Sequence, residues 1–89
     1  MRDKPQRASN IVRGELPDGE VVVSVSGGAQ ALILNSVADA VLELCDGSRT
    51  IAEIAQFVRD TIEVPPSADL ASDISSVLVQ LQRAGVLEA

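Results

Sequence analysis

The side chains that could carry out catalysis in this chain are few, and they lack the partners that catalysis requires. The sequence contains no histidine, and Cys45 is its single cysteine. This composition excludes a histidine general base, a cysteine–histidine pair, a zinc-finger ligand set and an internal disulfide. No serine has the histidine that activates a conventional serine nucleophile. We therefore expect Cys45 to be a small buried hydrophobic residue rather than a reactive thiol.

Paired carboxylates are the remaining source of chemistry. Asp39 and Glu43 are four residues apart in one predicted helix, and Asp69 and Asp73 have the same spacing in another. Each pair therefore lies on one helix face, where it could transfer protons or bind a cation. Because no second acidic cluster accompanies them, we interpret both pairs as solvated faces that compensate the helix dipole. We expect neither enzymatic activity nor a bound metal or cofactor.

Length, composition and charge restrict the fold and the partners. The 89 residues are enough for one small domain, and 46% of them are hydrophobic with Phe57 as the single aromatic. A net charge of −6 disfavours nucleic acid as a partner. No apolar segment approaches the ~20 residues that span a bilayer, so we expect no membrane partner and a cytoplasmic location. Residues 1–9 are predicted to be a flexible basic tail and residues 10–89 one domain. Deletion of Met1 to Pro5 is expected to leave the fold intact.

Alternating and β-branched segments in the first half predict three strands. The first surrounds Ile11 to Leu16, the second contains Val21 to Val25, and the third runs from Ala29 to Leu34. The glycine-rich segment 24–28 lacks the lysine of a phosphate-binding loop and predicts a hairpin turn. In a meander the third strand lies at a sheet edge. It contains no charged residue or proline that would discourage pairing with another chain.

Helical spacing in the second half predicts three helices. Asn35 is the expected cap of the first, and Thr50-Ile51-Ala52-Glu53 is a capping box that begins the second. Pro65-Pro66 should end the second helix, Ser67 should cap the third, and Gly85 should end it in a left-handed conformation. The predicted fold class is α+β, with a three-stranded antiparallel sheet followed by three helices.

Two segments, together with this order of elements, resemble the PqqD-like family. The first, residues 34–54, has Leu-Asn before helix one, an Asp-Gly turn, and a Thr-x-x-Glu-Ile start of helix two. The second, Asp73 to Leu87, is an aspartate followed by an apolar helix and Gly-Val-Leu. The resemblance covers roughly Val21 to Leu87.

The resemblance implies a winged helix-turn-helix-like domain with no catalysis of its own, the recognition element of a pathway for ribosomally synthesised and modified peptides. Such a domain binds the leader of the precursor peptide between strand three and helix three. It presents the rest of the precursor to a modifying enzyme. In PqqD-like systems that enzyme is often a radical S-adenosylmethionine enzyme, and in related lasso-peptide systems it is a leader peptidase.

The uncharged strand edge and the resemblance together place a peptide site on strand three and on one flank of helix three. We expect an extended leader to add a strand at this edge. The opposite flank of the helix, with Ala71, Leu78 and Gln82, is the alternative. The predicted site residues are Ala29, Gln30, Ala31, Leu32, Ile33, Leu34, Asp73, Val77, Gln80 and Ala84.

Two other functions remain open at this point. A winged-helix DNA-binding regulator would place helix three in the major groove. That helix offers Asp69 and Asp73 against the single Arg83, which disfavours a phosphate backbone. A structural module would instead pair the edge of strand three with its own copy and form a homodimer.

Overall fold

The computed structural model of the protein describes residues 3–28, 30–61 and 69–88. The strands pair antiparallel in the spatial order β1-β2-β3. This arrangement confirms the predicted α+β fold class, three antiparallel strands followed by three helices. The elements are β1 (Ile11–Glu15), β2 (Val21–Val25), β3 (Ala31–Leu34), α1 (Ser36–Leu44), α2 (Ile51–Thr61) and α3 (Leu70–Arg83).

Each of the two strand connections contains a glycine with positive φ. In the β1–β2 turn, Gly19 has a φ of 90° and its N–H donates to the Leu16 carbonyl at 3.0 Å. In the β2–β3 turn, Gly27 has a φ of 80°, and the Gly28 N–H donates to the Val25 carbonyl at 2.8 Å. Glycine adopts positive φ without steric cost. The glycine-rich segment is therefore a hairpin turn, as the sequence predicted.

Side-chain caps determine where α1 and α2 begin. Asn35 Oδ1 accepts a hydrogen bond from the Ala38 N–H at 2.9 Å. At the start of α2, Thr50 Oγ1 accepts from the Glu53 N–H at 3.1 Å, and Glu53 Oε1 accepts from the Thr50 N–H at 2.9 Å. Both predicted caps are confirmed. The proline pair predicted to end α2, Pro65-Pro66, lies outside the described residues.

The two ends of α3 differ in how well the sequence predicted them. Asp69 is the N-cap, and its side chain accepts from the Ser72 N–H at 3.2 Å. The predicted cap, Ser67, lies outside the described residues. Serine and aspartate cap helices about equally well, so residue type alone did not choose between two positions so close together. Gly85 ends the helix with a φ of 78°, as predicted.

An aliphatic core fills the space between the inner face of the sheet and the three helices. Cys45 belongs to this core, as predicted, and its Sγ donates to the Val41 carbonyl at 3.1 Å. Burial raises the pKa of the Cys45 thiol to about 11, so the thiol is protonated and unreactive at neutral pH. The buried hydrophobic residues are Val21, Val23, Leu34, Ala38, Val41, Leu42, Leu44, Cys45, Ile54, Val58, Leu70, Ile74, Leu78, Leu81, Val86 and Leu87.

The N-terminal segment, expected to be a tail up to residue 9, packs against the domain in the structure. Pro5 is fully buried. The Arg7 N–H donates to the Cys45 carbonyl at 2.8 Å, and the Arg7 guanidinium donates to the Leu42 carbonyl at 2.9 Å. One buried proline, backbone hydrogen bonds and the Arg7 side chain hold the segment, and none of these produces a hydrophobic periodicity that sequence analysis could detect. The packed unit therefore begins before the predicted domain boundary.

None of the described helices is long and apolar enough to cross a membrane.

Candidate functional site

The register of the sheet fixes which backbone groups of β3 point outward. In an antiparallel sheet, successive residues of a central strand hydrogen-bond alternately to its two neighbours. The Ser26 N–H donates at 2.7 Å to the carbonyl just before β1. The odd-numbered residues of β2 therefore bond to β3, where Val21 lies opposite Leu34 and Val23 opposite Leu32. Leu32 and Leu34 accordingly direct their backbone groups toward β2.

Ala31 and Ile33 direct their backbone N–H and C=O groups to the other side, away from β2. In the described part of the chain no strand occupies that side, because β3 is the last strand of the sheet. Residues 30–34 contain no charged residue and no proline. An uncharged edge of this kind is a template on which an extended chain can form a further strand.

The side chains of β3 alternate between the two faces of the sheet. Leu34 is buried and Leu32 packs against the core. Ala31 and Ile33 lie on the outer face, where Ile33 is 63% exposed. Among the large hydrophobic residues that the structure describes, Ile33 is the most exposed. Folding does not require an isoleucine in such a position.

A groove of about 410 Å³ lies between β3 and α3. Its lining combines aliphatic side chains with hydroxyl, amide and carboxylate groups. The connection from β3 to α1 is a single residue, Asn35, so the first turn of α1 also reaches the groove. The end of β3 and the start of α1 contribute Ile33, Leu34, Asn35, Val37 and Ala38, and α3 contributes Asp73, Ser76, Val77 and Gln80.

The structure brings half of the ten predicted site residues together around this groove. Gln30 and Ala31 are exposed at the beginning of the β3 edge. Leu32 and Ala84 are half-buried and pack against the core instead of lining the groove. Ala29 lies outside the described residues. The predicted residues that line the groove are Ile33, Leu34, Asp73, Val77 and Gln80.

The two flanks of α3 that the sequence left open have different surroundings. Leu78 is 1% exposed and belongs to the core, Ala71 on the same flank is exposed, and neither residue lines the groove. Val77 and Asp73 line the groove beside β3. The flank with Ala71, Leu78 and Gln82 therefore does not face β3, and the flank with Asp73, Val77 and Gln80 does.

Sequence reasoning missed four lining residues, which are Asn35, Val37, Ala38 and Ser76. Three of them belong to the junction between β3 and α1. The signal was present, because a helix that begins one residue after a strand must keep its first turn beside the end of that strand. Ser76 was missed although it lies three residues after Asp73 and four before Gln80, a spacing that places it on the same face of α3.

The groove presents both apolar and polar side chains. The described residues that line it offer aliphatic side chains, one hydroxyl, two amides and one carboxylate. Within the residues that the structure describes, no group of three or more cysteine, aspartate or glutamate side chains is placed to hold a metal ion.

An α+β domain of this architecture is shared with two solved structures. "Lasso peptide synthetase B1 complexed with the leader peptide" has a TM-score of 0.73 and 20% identity, covering 97% of this chain and 99% of that chain. "TbiB1 in Complex with the TbiA(beta) Leader Peptide" has a TM-score of 0.71 and 20% identity, covering 94% of this chain and 95% of that chain. At this identity the likeness is one of fold.

Sequence comparison assigns the family. The family model of coenzyme PQQ synthesis protein D (PqqD) matches residues 20–87, and the chain belongs to this family. The resemblance noted in the sequence is thereby confirmed over nearly the same range. No curated protein matches the chain.

Proposed function

We propose that this domain binds the leader of a ribosomally synthesised precursor peptide at the edge of β3 and presents the rest of the precursor to a modifying enzyme. The observation that carries the proposal is the uncharged outer edge of β3 beside the groove to α3. Membership in the PqqD family supports it. The two structural neighbours, which are described as complexes with leader peptides, support it as well.

The leader forms a fourth strand by pairing with the backbone groups of Ala31 and Ile33. Its residues opposite Leu32 and Leu34 then have their side chains on the inner face, toward α3. A residue opposite Ile33 has its side chain on the outer face. Backbone hydrogen bonds supply affinity at any sequence, so the groove supplies the specificity.

The domain acts in this proposal as an adaptor or peptide chaperone, and the modification takes place on a partner enzyme. That partner is a radical S-adenosylmethionine maturase or, in a lasso-type pathway, a leader peptidase. An iron–sulfur cluster would belong to the partner, because one buried cysteine cannot hold one.

Proline substitutions at the edge test strand addition directly. Ala31→Pro and Ile33→Pro each remove an N–H that points outward, whereas the matched Ile33→Val keeps that N–H. With the leader encoded beside the gene, calorimetric titration should show an affinity about three- to ten-fold lower for each proline variant. Ile33→Val should stay close to the wild type.

Circular dichroism of each variant establishes that it is folded before titration. Leu32→Pro removes an N–H that bonds to β2 and should destabilise the sheet instead. Undiminished affinity in folded Ala31→Pro and Ile33→Pro, with leader-induced amide shifts on another surface, would refute strand addition at this edge.

Homodimerisation through β3 competes with the proposed function for the same backbone groups. If two copies pair at this edge, sedimentation velocity should show a dimer that dissociates when the leader is added. A dimer that persists at saturating leader would place the self-association elsewhere on the surface.

A further inference from the structure

Among the residues that the structure describes, Asp73 is the one ionisable side chain that lines the groove. It is exposed and lies one turn before Val77 on the flank of α3 that faces β3. Within residues 3–28, 30–61 and 69–88, its carboxylate forms no salt bridge and accepts no side-chain or backbone hydrogen bond.

Three other aspartates show the contrast. Asp39 accepts two hydrogen bonds from an arginine of β1, the shorter at 2.7 Å. Asp46 pairs with Arg49 at 2.8 Å, and Asp69 caps α3. Each of these carboxylates stabilises a turn, a helix end or the contact between two elements. In the described structure the Asp73 carboxylate stabilises no turn, helix end or contact between elements, and it lines the groove.

The helix dipole accounts for an acidic residue near the start of α3 but not for the flank on which it lies. The dipole interaction depends on distance from the helix end and is nearly the same all around the axis. Ala71 and Ser72 offer equivalent distances on other sides of the helix, and Asp69 already occupies the cap. The position of Asp73 beside the groove therefore needs a separate explanation.

We infer that the groove selects a leader that carries a lysine or arginine directed at Asp73, next to aliphatic residues that lie on Leu34 and Val77. This inference rests on the proposed function and specifies the chemistry of the bound peptide. No positively charged side chain of the described residues lines the groove, and the whole chain has a net charge of −6. The net negative charge and the lack of a basic lining residue both favour binding of a positively charged peptide segment. The Asp73 carboxylate determines where the basic side chain of that peptide lies.

The test is a selection that needs no knowledge of the natural leader. A display library of random twelve-residue peptides is selected against the full chain in four versions, the wild type, Asp73→Asn, Asp73→Lys and Asp60→Asn. Asp60 lies on α2, away from the groove, and its removal changes the net charge equally. Thermal melts establish that each variant is folded.

Wild type and Asp60→Asn should both enrich lysine or arginine at one position, flanked at two-residue spacing by aliphatic residues. Asp73→Asn should lose that enrichment, and Asp73→Lys should replace it with aspartate or glutamate. A selected peptide should bind Asp73→Asn about two- to five-fold more weakly than the wild type, and the difference should shrink in high salt.

Different outcomes would contradict this inference and the proposed leader binding at the edge of β3. Peptides with no basic position, or with the same basic preference in Asp73→Asn, overturn the inference and leave leader binding standing. A wild-type selection that yields no binder, or only binders unaffected by Ile33→Pro, contradicts the proposed function instead.

Discussion

Arg13 on β1 donates two hydrogen bonds to Asp39 on α1, from Nε to Oδ1 at 2.9 Å and from Nη2 to Oδ2 at 2.7 Å. This paired geometry joins the sheet to the helix that leads out of β3. Hydrogen bonding to Asp39 raises the pKa of Arg13 above its ordinary value. The interpretation of Asp39 as part of a solvated acidic face was wrong.

Removing this ion pair should lower stability moderately. Arg13→Ala and Asp39→Ala should each lower the Tm, and the double variant should lose less than the sum of the two because both remove the same interaction. Arg59→Ala, on the exposed face of α2, is the control and should have little effect. Strictly additive losses in thermal melts at low salt would show that the two side chains do not stabilise each other.

Helix periodicity shows why this contact was not predictable. The four-residue spacing of Asp39 and Glu43 places both on one face of α1, but it does not reveal what lies against that face. The same limit applies to α3. Its helical pattern left two flanks as candidates for the side that faces β3, and only the packed structure shows that it is the flank with Val77. Contacts between elements depend on how they dock, which a local pattern does not encode.

Local features were predicted well because nearby residues determine them. The Asn35 cap, the capping box from Thr50 to Glu53 and the left-handed Gly85 each depend on a few adjacent residues. The packing of Pro5 was missed for the opposite reason, because it relies on partners more than thirty residues away. The elements and several of their ends were therefore predictable from sequence, whereas the tail predicted for residues 1–9 packs against the domain from Pro5 onward.

The core position of Leu78 gives a quantitative test of the α3 assignment. Leu78→Ala should lower the free energy of unfolding by roughly 2 to 5 kcal/mol through cavity formation. Its neighbour Val79 is 41% exposed, so Val79→Ala should cost less than about 0.5 kcal/mol. The measurement is urea denaturation of both variants. Equal losses would mean that the helix is rotated from the position described.

Deleting residues 1–8 should destabilise the domain, although the sequence led us to expect that loss of Met1 to Pro5 would leave the fold intact. Removal of residues 1–8 exposes the contact surface of Pro5 and takes the Arg7 hydrogen bonds from the end of α1. We expect a fall in Tm of about 5 °C or more. Removal of residues 1–4 alone keeps these contacts and is the control. If both deletions melt at the wild-type temperature, the segment contributes nothing to stability.

Acid should weaken the capping box at the start of α2. The Thr50 N–H hydrogen bond is the main cause that holds the pKa of Glu53 below its ordinary value near 4.5. A depressed folded pKa means that the stabilisation is present above about pH 4.5 and is lost as the pH falls through the folded pKa. Glu53→Gln should therefore be less stable than the wild type at pH 7, and the difference should shrink toward pH 3 in urea melts. A difference independent of pH would exclude the ionised carboxylate as its source.

The outer face of the sheet offers a test of which face of the leader is recognised. Ile33 on β3 is 63% exposed and Val12 on β1 is 56% exposed, and both side chains lie on this face. They differ in position, because only Ile33 lies at the edge where the leader is proposed to pair. Neither Ile33→Thr nor Val12→Thr should change stability by more than about 0.5 kcal/mol, since both side chains are largely in water already.

Leader binding should separate the two variants. A leader residue paired opposite Ile33 lies beside it on the outer face, and an apolar residue there would bury part of the isoleucine. Ile33→Thr should then lower the affinity for the leader about three- to ten-fold, whereas Val12→Thr should leave it unchanged. Calorimetric titration of both variants with the same leader measures the difference. If neither variant binds more weakly, the side chains of the leader are recognised only by the residues of the groove and not by the outer face of the sheet. If both variants bind the leader normally but slow its modification by the partner enzyme, the outer face contacts the enzyme and not the peptide.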